Sequence, residues 1–177
     1  MRAKAFFHLA AYGVRTLLGA DTPPILGTII VTDRCNLHCR HCGVNNITGV
    51  LHPYGEIKKE MKALYDEGVR ILFFCGGETF LWEDASKTLR DLVVEAKEMG
   101  YPIVNVVTNG TYGLALPEAD LILLSIDGDR DNHNLIRGET FDAILQNVSL
   151  APRDNICIYM AVNKLNQGDI KAVANIA

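Results

Sequence analysis

The stretch GTIIVTDRCNLHCRHC, from Gly27 to Cys42, contains the first clear strand of this chain and its most unusual residue pattern. The first six residues, Gly27 to Thr32, are rich in β-branched side chains and predict a β-strand. Three cysteines follow, Cys35, Cys39 and Cys42, in the spacing C-x3-C-x2-C. Because one short loop carries all three, their thiolates can turn toward one metal centre.

This loop favours an iron-sulfur cluster over the other sites that cysteines build. A cubane [4Fe-4S] cluster has four irons, so three thiolates leave one iron open to a further ligand. A structural zinc site needs four ligands, and the fourth would have to be His38 or His41 from the same tight loop. A disulfide framework fits least well, because the chain has five cysteines, an odd number, and enough apolar residues for a core. Zinc and disulfides stay open as alternatives.

Composition and charge limit the class of protein. With 177 residues, of which 49% are hydrophobic, the chain can form one globular domain with a substantial core. The formal net charge of -4 argues against a nucleic-acid partner, which would need a basic surface. Free cysteines in a metal-type spacing are typical of a reducing compartment, so we expect a cytoplasmic protein.

Residues 1–24 are expected to form an amphipathic helix and a linker, ahead of a core domain at 25–177. Lys4, His8 and Arg15 interrupt the apolar residues of this segment, which is too short to span a bilayer. We expect the helix to pack on the outside of the core. Peripheral contact with a membrane surface is the disfavoured alternative. The apolar residues at helical spacing are Phe6, Leu9, Ala10, Gly13 and Leu17.

Beyond the linker, short β-rich runs alternate with longer amphipathic runs. This alternation predicts an α/β protein with a parallel sheet of five strands, either curved toward a (β/α) barrel or wound as an open sheet. Both architectures place their sites at the carboxyl ends of the strands. The predicted strands are 27–32, 69–75, 103–108, 121–126 and 156–162; the predicted helices are 53–67, 84–99, 140–147 and one from Asp169 to the end at Ala177.

Residues suited to ligand binding follow each predicted strand, so the sequence places them at one edge of the sheet. Cys75 and Cys157, which lie within predicted strands, are expected to be small core residues instead. The candidates at the edge, besides the three cysteines of the loop, are Gly76, Gly77, Glu78, Asn109, Gly110, Ser125, Asp127 and Asn163.

In this order the motifs resemble those of the radical S-adenosylmethionine (radical SAM) superfamily. The likeness covers 27–177 and includes Gly76-Gly77-Glu78, Thr108-Asn109-Gly110 and Ser125-Ile126-Asp127-Gly128. The run HNLIRG at 133–138 is similar to the branch with molybdenum-cofactor, haem-type and peptide-modifying members. The resemblance implies a partial (β/α) TIM-like barrel, preceded here by the N-terminal helix. About five of the usual six β/α units are present, so the core looks truncated at its C-terminal side.

The resemblance also implies an activity. Cys35, Cys39 and Cys42 would hold a [4Fe-4S] cluster whose open iron binds the amino and carboxylate groups of S-adenosylmethionine (SAM). One electron would then cleave a carbon-sulfur bond to give methionine and a 5'-deoxyadenosyl radical, which abstracts hydrogen from an unknown substrate. An electron donor such as a flavodoxin or ferredoxin would be a partner. The alternative is a non-catalytic fragment that carries only the cluster and SAM.

Several residues acquire expected roles around SAM by this resemblance. Gly76 and Gly77 would let the backbone approach the ligand, and Glu78 would accept hydrogen bonds from the ammonium group. Arg137 suits the methionine carboxylate, because a guanidinium pairs well with carboxylates. Ser125 would offer its hydroxyl to the ribose or methionine part.

Further expectations concern the adenine end of SAM. Backbone around His41 would meet the adenine edge, and Asn163 would lie near the same ring. Asn109 and Asp127 would be further cofactor contacts, although Asn-Gly and Asp-Gly pairs are also ordinary turns. Thr79 stands where the family usually has proline, which should reduce only the stiffness of that loop.

Overall fold

The computed structural model describes residues 3–19, 22–44, 47–152 and 155–176. Arg2 and Asp21, within the predicted N-terminal helix and linker, and Ala177 lie outside these ranges. The helices are α1 (Ala3–Leu17), α2 (Tyr54–Asp66), α3 (Leu89–Met99), α4 (Arg130–Arg137), α5 (Phe141–Ser149) and α6 (Ile170–Ala174). The strands are β1 (Leu26–Thr32), β2 (Ile71–Gly76), β3 (Glu83–Asp84), β4 (Lys87–Thr88), β5 (Ile103–Thr108), β6 (Leu121–Ser125) and β7 (Ile156–Tyr159).

The main sheet has five strands in the order β1-β2-β5-β6-β7, and every neighbouring pair is parallel. This order follows the chain without a reversal, whereas a doubly wound sheet reverses at a switch point. The sheet therefore winds in one direction, as a segment of a barrel does. The predicted partial (β/α) barrel preceded by an N-terminal helix is confirmed. The short strands β3 and β4 form a separate antiparallel hairpin.

The core lies between one face of this sheet and the helices that connect its strands. Alternate residues of each strand point to this face, which explains the alternating burial in β1 and β2. The helices α2 and α3 present apolar stripes at helical spacing to the same layer. Its fully buried members include Leu72, Phe74, Val104, Val106, Ile122 and Leu124 of the strands and Ile57, Met61, Leu92 and Val93 of the helices.

The start of α3 differs from the prediction, which placed its N-cap at Asp84. The helix begins after Thr88, whose backbone N–H donates to the Asp91 carboxylate at 2.9 Å in a capping box. Asp84 instead accepts a hydrogen bond from the backbone N–H of Tyr54 at 2.8 Å. It thereby caps α2, whose own N-cap residue, Pro53, provides no side-chain acceptor.

The last strand is shorter than the predicted 156–162, because backbone groups beyond Tyr159 bond to side chains. The N–H of Ala161 donates to Asp127 Oδ1 at 2.8 Å, and its carbonyl accepts from Asn166 Nδ2 at 3.0 Å. The helix α4, which Asp129 caps, was not predicted at all. Its sequence is largely polar, and only two of its residues, His133 and Ile136, are buried.

Two expectations about burial are wrong. Cys157 is exposed, because β7 is an edge strand, and Cys75 is only half-buried at the end of β2. The N-terminal helix is confirmed as α1, but its apolar face does not pack on the core: Phe7 and Leu17 are 69% and 88% exposed. Within the described ranges, the structure contains no helix that is long and apolar enough to cross a bilayer.

Candidate cluster and cofactor site

The three cysteines of the loop lie at the carboxyl end of β1, as the sequence predicted. Cys35 and Cys39 are half-buried, Cys42 is exposed, and the N–H of Cys42 donates to the carbonyl of Cys39 at 3.1 Å. Burial raises the pKa of the Cys35 thiol, and the Glu78 carboxylate and the Cys42 thiol add to the effect. Burial also raises the pKa of Cys39, against the opposing charge of Arg137. Cys35 and Cys39 therefore lie within electrostatic range of Cys42, Cys35 within range of Glu78 and Cys39 within range of Arg137.

No group of three His, Cys, Asp or Glu side chains among the described residues is arranged to hold a metal ion as it stands. The chemistry of the loop nevertheless fits an iron-sulfur cluster, because thiolates are the ligands that such clusters use. Two of the thiols are half-buried and one is exposed, so the loop combines partial shielding with access from outside. The loop thus carries a suitable donor set.

The loop is fixed at both ends. After the cysteines, the chain returns to the end of β1, where Thr32 Oγ1 donates to the carbonyl of Val50 at 2.7 Å. Arg34 Nε donates to the carbonyl of Gly49 at 2.5 Å. In the middle of the loop, the N–H of Arg40 donates to the carbonyl of Ile136 at the end of α4 at 2.9 Å. These bonds attach the loop to the end of β1 and to the end of α4.

Gly76 and Gly77 lie directly against the base of this loop. The N–H of Gly77 donates to the carbonyl of Thr32, and the N–H of Glu78 donates to the carbonyl of Arg34, both at 2.8 Å. A Cβ on Gly77 would come within 2.6 Å of the Asp33 carbonyl oxygen and would overlap that of Arg34. The glycines thus allow the chain after β2 to approach the cysteine loop, whereas the sequence suggested an approach to the ligand.

Glu78 is completely buried and uses both carboxylate oxygens within the chain. Oε1 accepts from Thr108 Oγ1 at 2.7 Å and from the N–H of Phe80 at 3.1 Å, and Oε2 accepts from the N–H of Asn109 at 2.7 Å. Burial raises the pKa of Glu78, and these hydrogen bonds and the charge of Arg137 oppose the shift. The described contacts therefore give Glu78 a structural role, joining the ends of β2 and β5, and its contact with an ammonium group stays a prediction.

Asn109 connects the end of β5 to the cysteine loop. Its Nδ2 donates to Asn36 Oδ1 at 2.9 Å and lies 3.8 Å from Cys35 Sγ. Its Oδ1 accepts from the backbone N–H of Thr111 at 2.9 Å, in the turn that the Asn-Gly pair predicted. Asn109 is therefore both a turn residue and a neighbour of a proposed cluster ligand.

Asp127 and Arg137 form a buried ion pair beside the loop. Arg137 Nε donates to Asp127 Oδ2 at 2.5 Å, and these side chains are 11% and 0% exposed. His41 Nε2 lies 3.5 Å from the same oxygen. Within the described part of the chain, the terminal nitrogens of Arg137 make no hydrogen bond. The guanidinium is thus held through Nε and keeps donors for another anion.

His133 and Asn166 support this ion pair, and sequence reasoning missed both. His133 Nδ1 accepts from the N–H of Asp127 at 3.2 Å, and Asn166 Nδ2 donates to the carbonyl of Asp127 at 2.8 Å. Both side chains are completely buried. Burial lowers the pKa of His133 to about 4, and the charge of Arg137 adds to this shift. Only the position of His133 four residues before Arg137 gave a signal in the sequence.

Ser125 and Asn163 complete the predicted set. Ser125 ends β6 and is 6% exposed, and its hydroxyl forms no hydrogen bond within the described residues. Asn163 bonds only within its own loop, where Oδ1 accepts from the N–H of Leu165 at 2.8 Å. The contacts described here join Glu78, Asn109, Asp127, Arg137 and His41 to the cysteine loop or to each other, and they do not include Ser125 or Asn163.

Comparison with known proteins identifies the family. The model of the Radical SAM superfamily matches residues 29–176 of this chain. The chain belongs to the Radical SAM superfamily. An Fe-coproporphyrin III synthase of Methanosarcina barkeri is 31% identical over 159 residues, which cover 81% of this radical SAM chain and 38% of the relative. A 7,8-dihydro-6-hydroxymethylpterin dimethyltransferase of Methanocaldococcus jannaschii is 35% identical over 70% of this chain and 26% of its own length.

Solved structures agree on the fold of this radical SAM chain. The crystal structure of Streptococcus suis SuiB bound to S-adenosylmethionine matches with a TM-score of 0.64 at 16% identity, over 98% of this chain and 40% of that one. The chain thus spans about two fifths or less of the length of these relatives. Radical SAM enzymes use a [4Fe-4S] cluster and SAM, and the relatives named above include a synthase and a methyltransferase.

Proposed function

We propose that this chain is the SAM-binding core of a radical SAM enzyme, with Cys35, Cys39 and Cys42 as the ligands of a [4Fe-4S] cluster. When bound, this cluster supplies the electron that cleaves SAM reductively to a 5'-deoxyadenosyl radical. The observation that carries the proposal is the C-x3-C-x2-C loop of free thiols after β1, with Arg137 near enough to Cys39 to affect its pKa. That edge is where barrels of this type place their sites.

Arg137 is the residue that we assign to the methionine carboxylate of SAM. The guanidinium lies near Cys39, where its charge opposes the rise in pKa that burial causes, and it is only 11% exposed. Asp127 holds it through Nε, so the terminal nitrogens remain able to donate to a carboxylate beside the loop. A guanidinium fixed in this way needs little reorganisation when an anion arrives.

Ser125 and the adenine-side residues complete the proposed SAM site. The Ser125 hydroxyl is nearly buried and has no partner in the described structure, so a ligand hydroxyl could satisfy it. Backbone near His41 and Asn163 is assigned to adenine from the family resemblance alone. The family resemblance also assigns Gly76, Gly77, Glu78 and Asn109 to SAM, and their contacts at the base of the cysteine loop support a place beside the cluster.

Anaerobic reconstitution with iron and sulfide tests this function. We expect about four irons and four sulfides per chain, a brown chromophore, and 5'-deoxyadenosine after addition of dithionite and SAM. Cys35→Ala, Cys39→Ala and Cys42→Ala should each lose the chromophore. Cys157→Ala is the matched control, because this thiol is exposed on an edge strand outside the loop, and it should assemble the cluster normally.

Three results would contradict the proposal in different ways. Normal cluster assembly without 5'-deoxyadenosine under any reductant would indicate a module that binds the cluster without completing the reaction. Zinc in place of iron, in protein purified without oxygen, would indicate a structural metal site. Equal chromophore loss in Cys157→Ala and the loop variants would remove the assignment of the three ligands.

The remaining parts of the proposal concern location and partners. The domain division at residues 24 and 25, a cytoplasmic location and an electron donor such as a flavodoxin or ferredoxin follow from the sequence and the family. Support for the location comes from the five cysteines, all of which are free thiols. The substrate stays open, because the relatives act on different molecules and this chain spans only part of their length.

A further inference from the structure

The N-terminal helix α1 carries an apolar face that no other part of the described chain covers. Leu17 is 88% exposed, and the nearby Leu18 is 79% exposed. Such exposure of large apolar side chains along one helix is unusual, because the apolar face of a surface helix normally faces the core. The exposed apolar residues of this segment are Phe6, Phe7, Val14, Leu17 and Leu18.

These residues share one side of the helix. At 100° per residue, Phe6, Ala10, Val14 and Leu17 follow one another along a single stripe, with Phe7 beside it. We define these five residues as the outer stripe of α1.

The opposite side of α1 faces the rest of the protein. His8, Tyr12 and Arg15 line a small cavity of about 170 Å³ together with Pro23 of the linker and Arg70 of the core. His8 and Tyr12 are accordingly only partly exposed, in contrast to Leu17. His8 and Tyr12 therefore turn toward the rest of the protein, whereas Arg15 and the outer stripe are exposed to solvent.

The charge of this segment identifies the kind of surface that the outer stripe fits. Residues 1–20 contain three cations, Arg2, Lys4 and Arg15, and neither Asp nor Glu. The whole chain has a formal charge of -4, so the remainder carries -7. A basic, apolar helix on an acidic protein complements an anionic apolar surface. A second copy of α1 is a poor partner, because two such helices would bring like charges together.

We propose that α1 is an interfacial helix that binds the surface of an anionic lipid bilayer through its outer stripe. Its 15 residues span about 22 Å, which is less than the roughly 30 Å of a hydrocarbon core, so it would lie in the membrane plane. Arg15, whose side chain is exposed, would reach the lipid phosphates while its apolar stem stays beside the helix. This proposal does not depend on the iron-sulfur cluster.

Vesicle co-sedimentation of the full chain tests this inference. Two kinds of vesicle are needed, one of phosphatidylcholine alone and one of phosphatidylcholine mixed with anionic phosphatidylglycerol. We expect binding to the mixed vesicles, little binding to the neutral ones, and weakening at about 1 M salt, where the screening length falls to about 3 Å.

A matched pair of variants distinguishes vesicle binding through α1 from nonspecific adsorption of the protein. Leu17→Glu should lower the affinity for mixed vesicles by about tenfold or more, because an apolar contact becomes an anion. Leu150→Glu, which changes an exposed leucine at the end of α5 in the same way, should not. Since both side chains lie in solvent, both variants should keep the unfolding temperature of the parent.

Three outcomes would overturn the inference. The first is absence of binding to either vesicle. The second is binding that Leu17→Glu leaves unchanged. The third is a lipid-free dimer, detected by light scattering, that Leu17→Glu dissociates, together with no vesicle binding by the parent protein. The outer stripe would then contact a second copy of the chain.

Discussion

Glu78 Oε2 accepts a hydrogen bond from the backbone N–H of Asn109 at 2.7 Å, which joins the ends of two neighbouring strands beneath the cysteine loop. The same carboxylate accepts hydrogen bonds from the Thr108 hydroxyl and from the backbone N–H of Phe80. All three of these donors therefore point toward a carboxylate oxygen. The side-chain amide of a glutamine in this position would place its own N–H donors opposite one of those three donors. The buried carboxylate is therefore a specific requirement of this junction.

We expect Glu78→Gln to lower the free energy of unfolding by about 1 to 3 kcal/mol, because a buried donor loses its acceptor. Chemical denaturation of the cluster-free chain measures this change. Glu83→Gln is the control, because Glu83 is exposed in the adjacent hairpin, and it should stay near the parent. If the two variants are equally stable, the carboxylate does not join the strands as described.

Gly77→Ala is expected to reduce cluster content severely, because the new Cβ would overlap the carbonyl oxygens at the base of the cysteine loop. Iron and sulfide per chain after reconstitution measure the effect. Gly43→Ala, directly after Cys42, is the control: a Cβ there meets nothing within 4 Å. The same iron content in both variants would show that the close approach after β2 is unimportant for the loop.

We expect Arg137→Lys to fold but to bind SAM about tenfold more weakly, because an ammonium can pair with Asp127 but lacks the guanidinium fork for a carboxylate. Calorimetric titration of reconstituted protein with SAM measures the affinity. Arg130→Lys lies on the same helix and changes an exposed pair with Asp142, so it should bind SAM normally. An unchanged affinity of Arg137→Lys for SAM would show that Arg137 does not bind the SAM carboxylate.

Stability should depend on pH through His133. Burial lowers the pKa of this side chain to about 4 from an ordinary value of 6.5. The unfolded chain therefore binds a proton below pH 6.5 while the folded chain stays neutral, so acidification from pH 6.5 toward 4 destabilises the fold. By pH 5 this single group should cost about 2 kcal/mol relative to pH 7.

Urea unfolding of the parent and of His133→Asn at pH 7 and pH 5 tests this. Asparagine keeps a side-chain acceptor for the N–H of Asp127 but does not titrate. Other titratable groups contribute to the pH dependence of stability in both proteins. The expected result is therefore a smaller loss of stability between pH 7 and pH 5 in the variant. Identical losses in the two proteins would contradict the assignment.

Local patterns in the sequence predicted most of the fold. Continuous or alternating apolar runs marked all five strands of the main sheet, because burial sets those patterns residue by residue. The predictions were wrong where a distant side chain decided the outcome. Asp84 caps α2 although it lies 30 positions from Tyr54 in the sequence. The carboxylate of Asp127 accepts the hydrogen bond of the Ala161 N–H, which therefore does not extend the last strand. Sequence spacing does not reveal such long-range hydrogen bonds.

The sequence by itself determined the three-cysteine loop, its position after β1, and the parallel arrangement that gathers polar residues at one edge. These features depend on spacing and on the order of elements, both of which are local. Only the tertiary structure decided what the gathered side chains do: Glu78 and Gly77 shape the cysteine loop, and Asp127 holds Arg137. It also turned the apolar stripe of α1 outward. The physical reason is that a hydrogen-bond partner or a covered face is set by three-dimensional proximity, which residue type and order leave open.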